Sequence, residues 1–155
     1  MERWVVSAKK ADFHGIAQEF QIDPVIARLI RNRDVVGEKQ IREYLFGGLE
    51  DLHDPLLMKD MEKAVGILER KIREGKQIRI IGDYDIDGVM STYILLTGLR
   101  ELGAKVDIRI PDRIADGYGL NENLVRQAKE DGADTVITCD NGISALDQIC
   151  LAKEL

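Results

Sequence analysis

Cysteine, histidine and proline are scarce: two, two and three residues in a chain of 155. Cys139 and Cys150 sit in the apolar contexts "VITCD" and "DQICLA", with no C-x-x-C spacing and no histidine beside them. That leaves neither a disulfide scaffold nor a zinc site, and both cysteines read as buried free thiols. His14 and His53 are isolated in sequence and read as surface or capping residues. No segment approaches the roughly 18 uninterrupted apolar residues of a membrane span. The start, "MERWVVSAKK", holds no apolar run of signal-peptide length, so a cytoplasmic location is expected. Internal repeats and low-complexity tracts are missing too.

Also missing is an excess of positive charge. The formal net charge is -6, which argues against a surface that holds nucleic acid by simple electrostatics. Residues 1–75 carry 13 Lys and Arg against 14 Asp and Glu, and residues 76–155 carry 9 against 14. The acidic excess therefore lies in the second part, where a pair of divalent cations would cancel most of it, although a solvated acidic face produces the same balance. With 45% hydrophobic and 32% charged residues, the chain has the composition of an ordinary globular domain with a core.

Two regions differ in pattern. Residues 1–75 read as a mainly helical N-terminal region, with segments expected at Asp12–Phe20, Pro24–Arg33, Glu38–Leu45 and about Lys59–Glu74. In the last, Met61, Val65, Leu68 and Ile72 form one apolar stripe that stops at Gly75, a residue suited to ending a helix. The "GGLEDLHDPLL" stretch between helices reads as a loop. From residue 76 the pattern becomes strand and helix in alternation. Strands are expected at Ile78–Ile81, Val106–Ile110 and Thr135–Cys139, and helices from near Val89, Asn121 and Ser144. Asn121 can cap its helix, and Ser144 with Asp147 can form a capping box. This alternation predicts an α/β fold, a parallel sheet with helices on both faces. Three strands are few for such a sheet, so the chain reads as an N-terminal piece with an unprotected sheet edge.

The chemistry is concentrated in "IRIIGDYDIDGVMSTY", where Asp83, Asp85 and Asp87 alternate and Gly88 follows. D-x-D-x-D-G also opens an EF-hand, but the twelfth position, which must be a bidentate Glu, is Ile94, and a β-branched run rather than a helix precedes Asp83. Ligands of open parallel sheets sit at the carboxyl ends of strands. There Asp83, Asp85 and Asp87 follow the first strand and Asp140 follows "TVITC". An extended loop would put Asp85 and Asp87 on one side. Crowded carboxylates require counter-charge, and an all-oxygen donor set favours magnesium or manganese. Two such ions clamp a phosphoryl group for in-line attack. The competing reading makes these aspartates turn formers and helix caps, and Asp83 could be a ligand, a partner behind the ligands or a turn residue. A third element, "PDRIADGYGL", offers the planar fork of Arg113 for phosphate and Gly117 and Gly119 for close backbone approach.

Together, "GDYDIDG", "PDRIADGYGL" and "TCDNGISA", in that order, with "LHDPLLMKDMEKAV" ahead of them, resemble the RecJ single-strand-specific exonucleases of the DHH phosphoesterase superfamily. The resemblance covers essentially the whole chain. It implies the first half of a DHH domain over residues 76–155 and a manganese- or magnesium-dependent enzyme, with two ions in the complete site. That enzyme removes nucleotides from the 5′ end of single-stranded DNA in recombination and repair. It puts metal ligands on Asp85, Asp87 and Asp140, with Asp83 adjacent, gives those three a catalytic role, and assigns substrate contact to Arg113, Gly117, Tyr118 and Gly119. It also implies that the Asp-His-His triplet, a later metal ligand and the main DNA-binding parts lie beyond Leu155, so that this piece alone would have little activity. Other readings are an oligoribonuclease, cyclic-dinucleotide phosphodiesterase or pyrophosphatase of the same superfamily, or a magnesium-binding receiver-type signalling domain.

Overall fold

In the computed structural model, residues 3–5 and 9–155 are described. They divide into two compact units, Met1–Leu57 and Met58–Leu155.

The first unit holds α1 (Phe13–Phe20), α2 (Pro24–Asn32) and α3 (Glu38–Phe46). Asp12 caps α1 by accepting from the Gly15 N–H at 2.9 Å, and Asp23 caps α2 by accepting from the Val25 N–H at 2.7 Å, with Pro24 in the first turn. Phe20, Ile30 and Ile41, one residue from each helix, form the small core. The stretch expected to be only loop contains two short 3₁₀ turns, Leu49–Asp51 and Pro55–Leu57. The second of these is held by Asp54, whose carboxylate accepts from the Leu56 N–H at 2.9 Å.

The second unit begins with α4 (Met61–Arg73) and continues β1 (Gln77–Ile81), α5 (Ile86–Glu101), β2 (Lys105–Arg109), α6 (Glu122–Glu130), β3 (Thr135–Thr138) and α7 (Leu146–Glu154). The three strands are parallel in the order β2-β1-β3. The alternation of strand and helix thus gives the expected α/β sheet. β1 is central and its side chains go to both faces. Ile78 and Ile80 pack on Leu68 and Ile72 of α4 and on Leu95, Leu96 and Leu99 of α5. Ile81 packs with Leu124 and Val125 of α6 and with Ile149 and Leu151 of α7. These three isoleucines are fully buried, and each contributes on the order of 2 kcal/mol by leaving water.

Because the α4 stripe packs against β1, α4 belongs to the sheet unit, and the division falls after Leu57 rather than after residue 75. Gly75, at φ +64°, ends α4, with its N–H donating to Ile72 O and that of Lys76 to Lys71 O.

Arg79, the remaining inward residue of β1, reaches across the sheet. Its Nε and Nη2 each donate to Asp107 of β2 at 2.8 Å, and its Nη1 donates to Asp131 at the end of α6 at 2.6 Å. These bonds outweigh the cost of burial and hold the guanidinium protonated more firmly than usual, the Asp107 bonds first. Elsewhere in the sheet unit, Lys71 of α4 pairs with Asp134, just before β3, at 2.5 Å.

Two helix starts differ from the sequence-based expectation. α5 begins at Ile86, three residues earlier than Val89, because Asp85 caps it. Asn121 caps α6 as expected, accepting from the Leu124 N–H at 2.9 Å. The Ser144–Asp147 capping box does not form. After β3 the chain turns so that the Ala145 N–H bonds Gly142 O, which places Ser144 inside a turn and makes Ala145 the residue before α7. Both cysteines are free, but only Cys139 is partly buried and Cys150 is exposed, since the helix carrying Cys150 turns that side outward.

Candidate metal centre

Three glycine and aspartate contacts shape the loop after β1. Gly82 leaves no space for a side chain: a Cβ there would stand 2.0 Å from Thr92 Oγ1 and 3.1 Å from the Gly88 carbonyl. A Cβ on Gly88 would stand 2.5 Å from the Asp83 carbonyl oxygen. The first turn of α5 therefore lies directly on the Asp83 backbone, and only glycine allows that approach.

Held between them, Asp83 is completely buried. Its Oδ1 accepts from the Tyr84 N–H at 2.8 Å, whereas its Oδ2 is buried and has no partner among the described residues. A buried, unpaired carboxylate oxygen is costly unless something positive satisfies it. Asp85 is the N-cap of α5, its Oδ1 accepting from the Gly88 N–H at 2.9 Å. The carboxylate thereby lies near the positive end of the helix.

Asp140 arrives from the end of β3 in the left-handed region, at φ +58°, a conformation that Asp tolerates better than most residues. Gly142 follows at φ +90°, where a Cβ would meet Thr138 Oγ1 at 2.6 Å. One oxygen each from Asp83, Asp85 and Asp140 lies within 4.8 Å of the others. The Asp140 carboxyl is held above the usual carboxylate range, first by loss of hydration in this crowded place, then by the adjoining Asp85, then by the charges of Asp87 and Asp83.

The sequence-based site is thus brought together in part. Asp83, for which the sequence leaves three roles open, lies in the cluster. Asp87 lies outside the three-residue group, because residues 86 and 87 are already helical and the extended alternation expected to align Asp85 with Asp87 does not occur. It remains close enough to raise Asp140.

The "PDRIADGYGL" loop folds back to the same place. Asp112 organises its turn by accepting from the Ala115 and Ile114 N–H groups at 2.9 and 2.8 Å, and those bonds hold its carboxyl below the usual range. Arg113 lies over the Tyr84 ring, its guanidinium carbon 5.4 Å from the centroid. Tyr118 meets the same ring edge-on at 6.3 Å. Its hydroxyl is held above its ordinary pKa, first by the charge of Asp83, then by desolvation, and then by Asp140 and Asp85. Gly117 and Gly119 have φ of +76° and +75°, and a Cβ on Gly119 would lie 3.9 Å from the Asn141 Cβ.

Two participants are not singled out by the sequence. Tyr84 is hidden between two aspartates, though alternation alone sends it to the other side of the chain. Asn141, in "CDNG", carries no local signal of its own, yet its Nδ2 donates to Gly82 O at 2.6 Å and to Ile81 O at 3.4 Å.

The donors gathered here are oxygens, several anionic and one buried without a partner, so the residues present fit a hard divalent cation such as magnesium or manganese.

Comparison with known proteins gives the family. Residues 77–155 match the DHH family, N-terminal domain. The single-stranded-DNA-specific exonuclease RecJ of Bacillus subtilis (strain 168) is 38% identical over 154 residues, 99% of this chain and 20% of the relative. A crystal structure of exonuclease RecJ bound to manganese superimposes with a TM-score of 0.61 at 38% identity, covering 67% of this chain and 27% of that one. RecJ in complex with Mn2+ from Thermus thermophilus gives a TM-score of 0.57 at 28% identity, covering 88% and 18%. The chain spans about a fifth of the length of the curated relatives it matches.

Proposed function

The chain belongs to the DHH family, and on that footing we propose that it serves a 5′ to 3′ exonuclease specific for single-stranded DNA, acting in recombination and repair. The observation that carries this reading is the meeting of Asp83, Asp85 and Asp140 from two neighbouring strand ends, with one Asp83 oxygen buried and unpaired among the described residues. Those three residues would hold a divalent cation, manganese or magnesium, and Asp87, close enough to act on Asp140, would serve a second. Bound there, such ions would supply a more acidic water as nucleophile and would neutralise charge on the phosphoryl oxygens.

The chain's own residues do the rest. Arg113 stacks its planar fork on the ring of Tyr84, the residue between Asp83 and Asp85, so that the N–H edge is left for a phosphate. Gly117, half-buried, leaves its backbone open to a nucleotide, whereas Gly119 is buried beside Asn141 and shapes the loop from within. Tyr118, exposed and close to the acids, offers a ring for stacking on a base, which is how single strands are commonly gripped.

Manganese binding to this chain, followed by electron paramagnetic resonance, tests the metal reading. Binding is expected, with Asp83→Asn and Asp140→Asn each weakening it at least tenfold; unchanged affinity in both variants refutes it. Digestion of 5′-labelled single-stranded DNA, duplex DNA and dinucleotides by the protein carrying this chain tests the substrate. Preference for the long single strand supports the exonuclease, and preference for dinucleotides points to a small-substrate phosphoesterase of the same family.

A further inference from the structure

Beyond the carboxylates themselves, something must keep Asp140 opposite Asp83 and Asp85. The last backbone rung between β3 and β1 is the Cys139 N–H donating to Ile81 O at 3.2 Å. Past that rung the two chains carry the acids with no ladder between them. Asn141 fills the gap. Its Nδ2 lies 2.6 Å from Gly82 O and 3.4 Å from Ile81 O, which adds a side-chain rung one step beyond the sheet. The two carbonyls also fix which way the amide faces, since only its nitrogen can donate to them. The Oδ1 is then left buried and without a partner among the described residues, as is Asp83 Oδ2. Both orphans are acceptors, and what complements acceptors is a cation or a donor it carries.

Asp140 needs such a restraint, because it sits in the left-handed region and is followed by Gly142 in the same region. Aspartate tolerates that region better than most residues but still at a cost, which contacts with its surroundings must offset. Gly119, whose Cβ position faces Asn141, closes the staple from the third loop.

We propose that Asn141 is a positioning residue for the metal centre, an amide staple that ties the Asp140 loop to the Gly82–Asp83 loop and so sets the spacing of the carboxylates. This rests on the metal reading above. Two measurements on this chain separate the two ideas. In the metal-free protein, hydrogen exchange of the Asn141 side-chain amide, followed by nuclear magnetic resonance, is expected to be at least tenfold slower than for an exposed asparagine. Fast exchange overturns the staple whether or not manganese binds. With manganese, Asn141→Ala and the near-isosteric Asn141→Asp, which loses the donor, are expected to weaken binding about tenfold while the urea midpoint moves little. Unchanged affinity in both overturns the positioning role. If Asn141→Ala does not fold, Asn141→Ser, which keeps a short donor, is expected to bind between wild type and Asn141→Asp, and wild-type affinity in Asn141→Asp still refutes the idea. If wild-type protein binds no manganese, the metal reading fails and takes the positioning role with it, while the exchange measurement still decides whether the staple exists.

Discussion

Two glycines in one helix separate the demands of the acidic loop from ordinary helix energetics. Gly88 and Gly98 both lie in α5. At Gly98 an added Cβ meets nothing within 4 Å, whereas at Gly88 it meets the carbonyl oxygen, carbonyl carbon and Cβ of Asp83 at 2.5, 2.6 and 2.6 Å. Carbon atoms in contact normally stand about 3.5 Å apart or more, so the Gly88→Ala methyl overlaps the Asp83 backbone by about 1 Å. No flexible side chain can yield there, because the obstacle is the backbone of a completely buried residue. Alanine in place of glycine inside a helix is worth about 1 kcal/mol, and Gly98→Ala should realise about 0.5–1 kcal/mol of that as added stability. In Gly88→Ala the same gain is set against an overpacking cost of about 1–3 kcal/mol. A net loss of about 1 kcal/mol is expected, together with a shift of Asp83 that weakens manganese binding at least tenfold, or about 1.4 kcal/mol. Urea denaturation and manganese titration of both variants check this. The reasoning is refuted if Gly88→Ala matches Gly98→Ala in stability and binds manganese like wild type.

Two further expectations follow from the ion pairs around β1. Lys71, first by hydrogen bonding to it, holds the Asp134 carboxyl below its usual range, so the folded state binds that proton less readily than the unfolded chain. Its contribution is therefore present above the unfolded value of about 3.9 and is lost as pH falls through the lower folded value. Asp134→Asn should cost up to about 1 kcal/mol at pH 7, and the difference from wild type should shrink below about pH 4 when urea midpoints are compared across pH. Arg79→Lys keeps the charge but cannot reproduce the two parallel bonds to Asp107 and the third to Asp131. It should lower stability by about 1–2 kcal/mol, and a thermal midpoint equal to wild type would contradict the assigned role of the fork.

The strands are legible in the sequence because each is a short run of β-branched and apolar residues bounded by polar ones, and alternation with helices leaves only a parallel arrangement. The helix ends are less so. Asp85 reads as a ligand in an extended loop, and its second role as the cap that starts α5 moves the helix start by three residues and takes Asp87 out of the group formed by the other acids. Burial decides Asp83: a sequence lists its carboxylate but does not reveal that glycines on both sides press it out of contact with water. Tyr84 and Asn141 act through contacts made between loops distant in sequence, 34 residues apart in the Tyr84–Tyr118 pair and 59 in the Asn141–Gly82 bond, and no local pattern signals such partners. The expectation of two buried thiols fails in part for the same reason, since an apolar neighbourhood in sequence does not keep Cys150 from the surface.

Asp85 accepts from the Gly88 N–H at the start of α5 and also brings a carboxylate oxygen into the group with Asp83 and Asp140. A single carboxyl thus belongs both to the opening of the helix and to the acidic cluster, which makes them one mechanical joint rather than two. Slack introduced on either side is felt on the other, and the helix that roofs β1 becomes the handle by which the rest of the sheet can adjust the spacing of its own acidic tip.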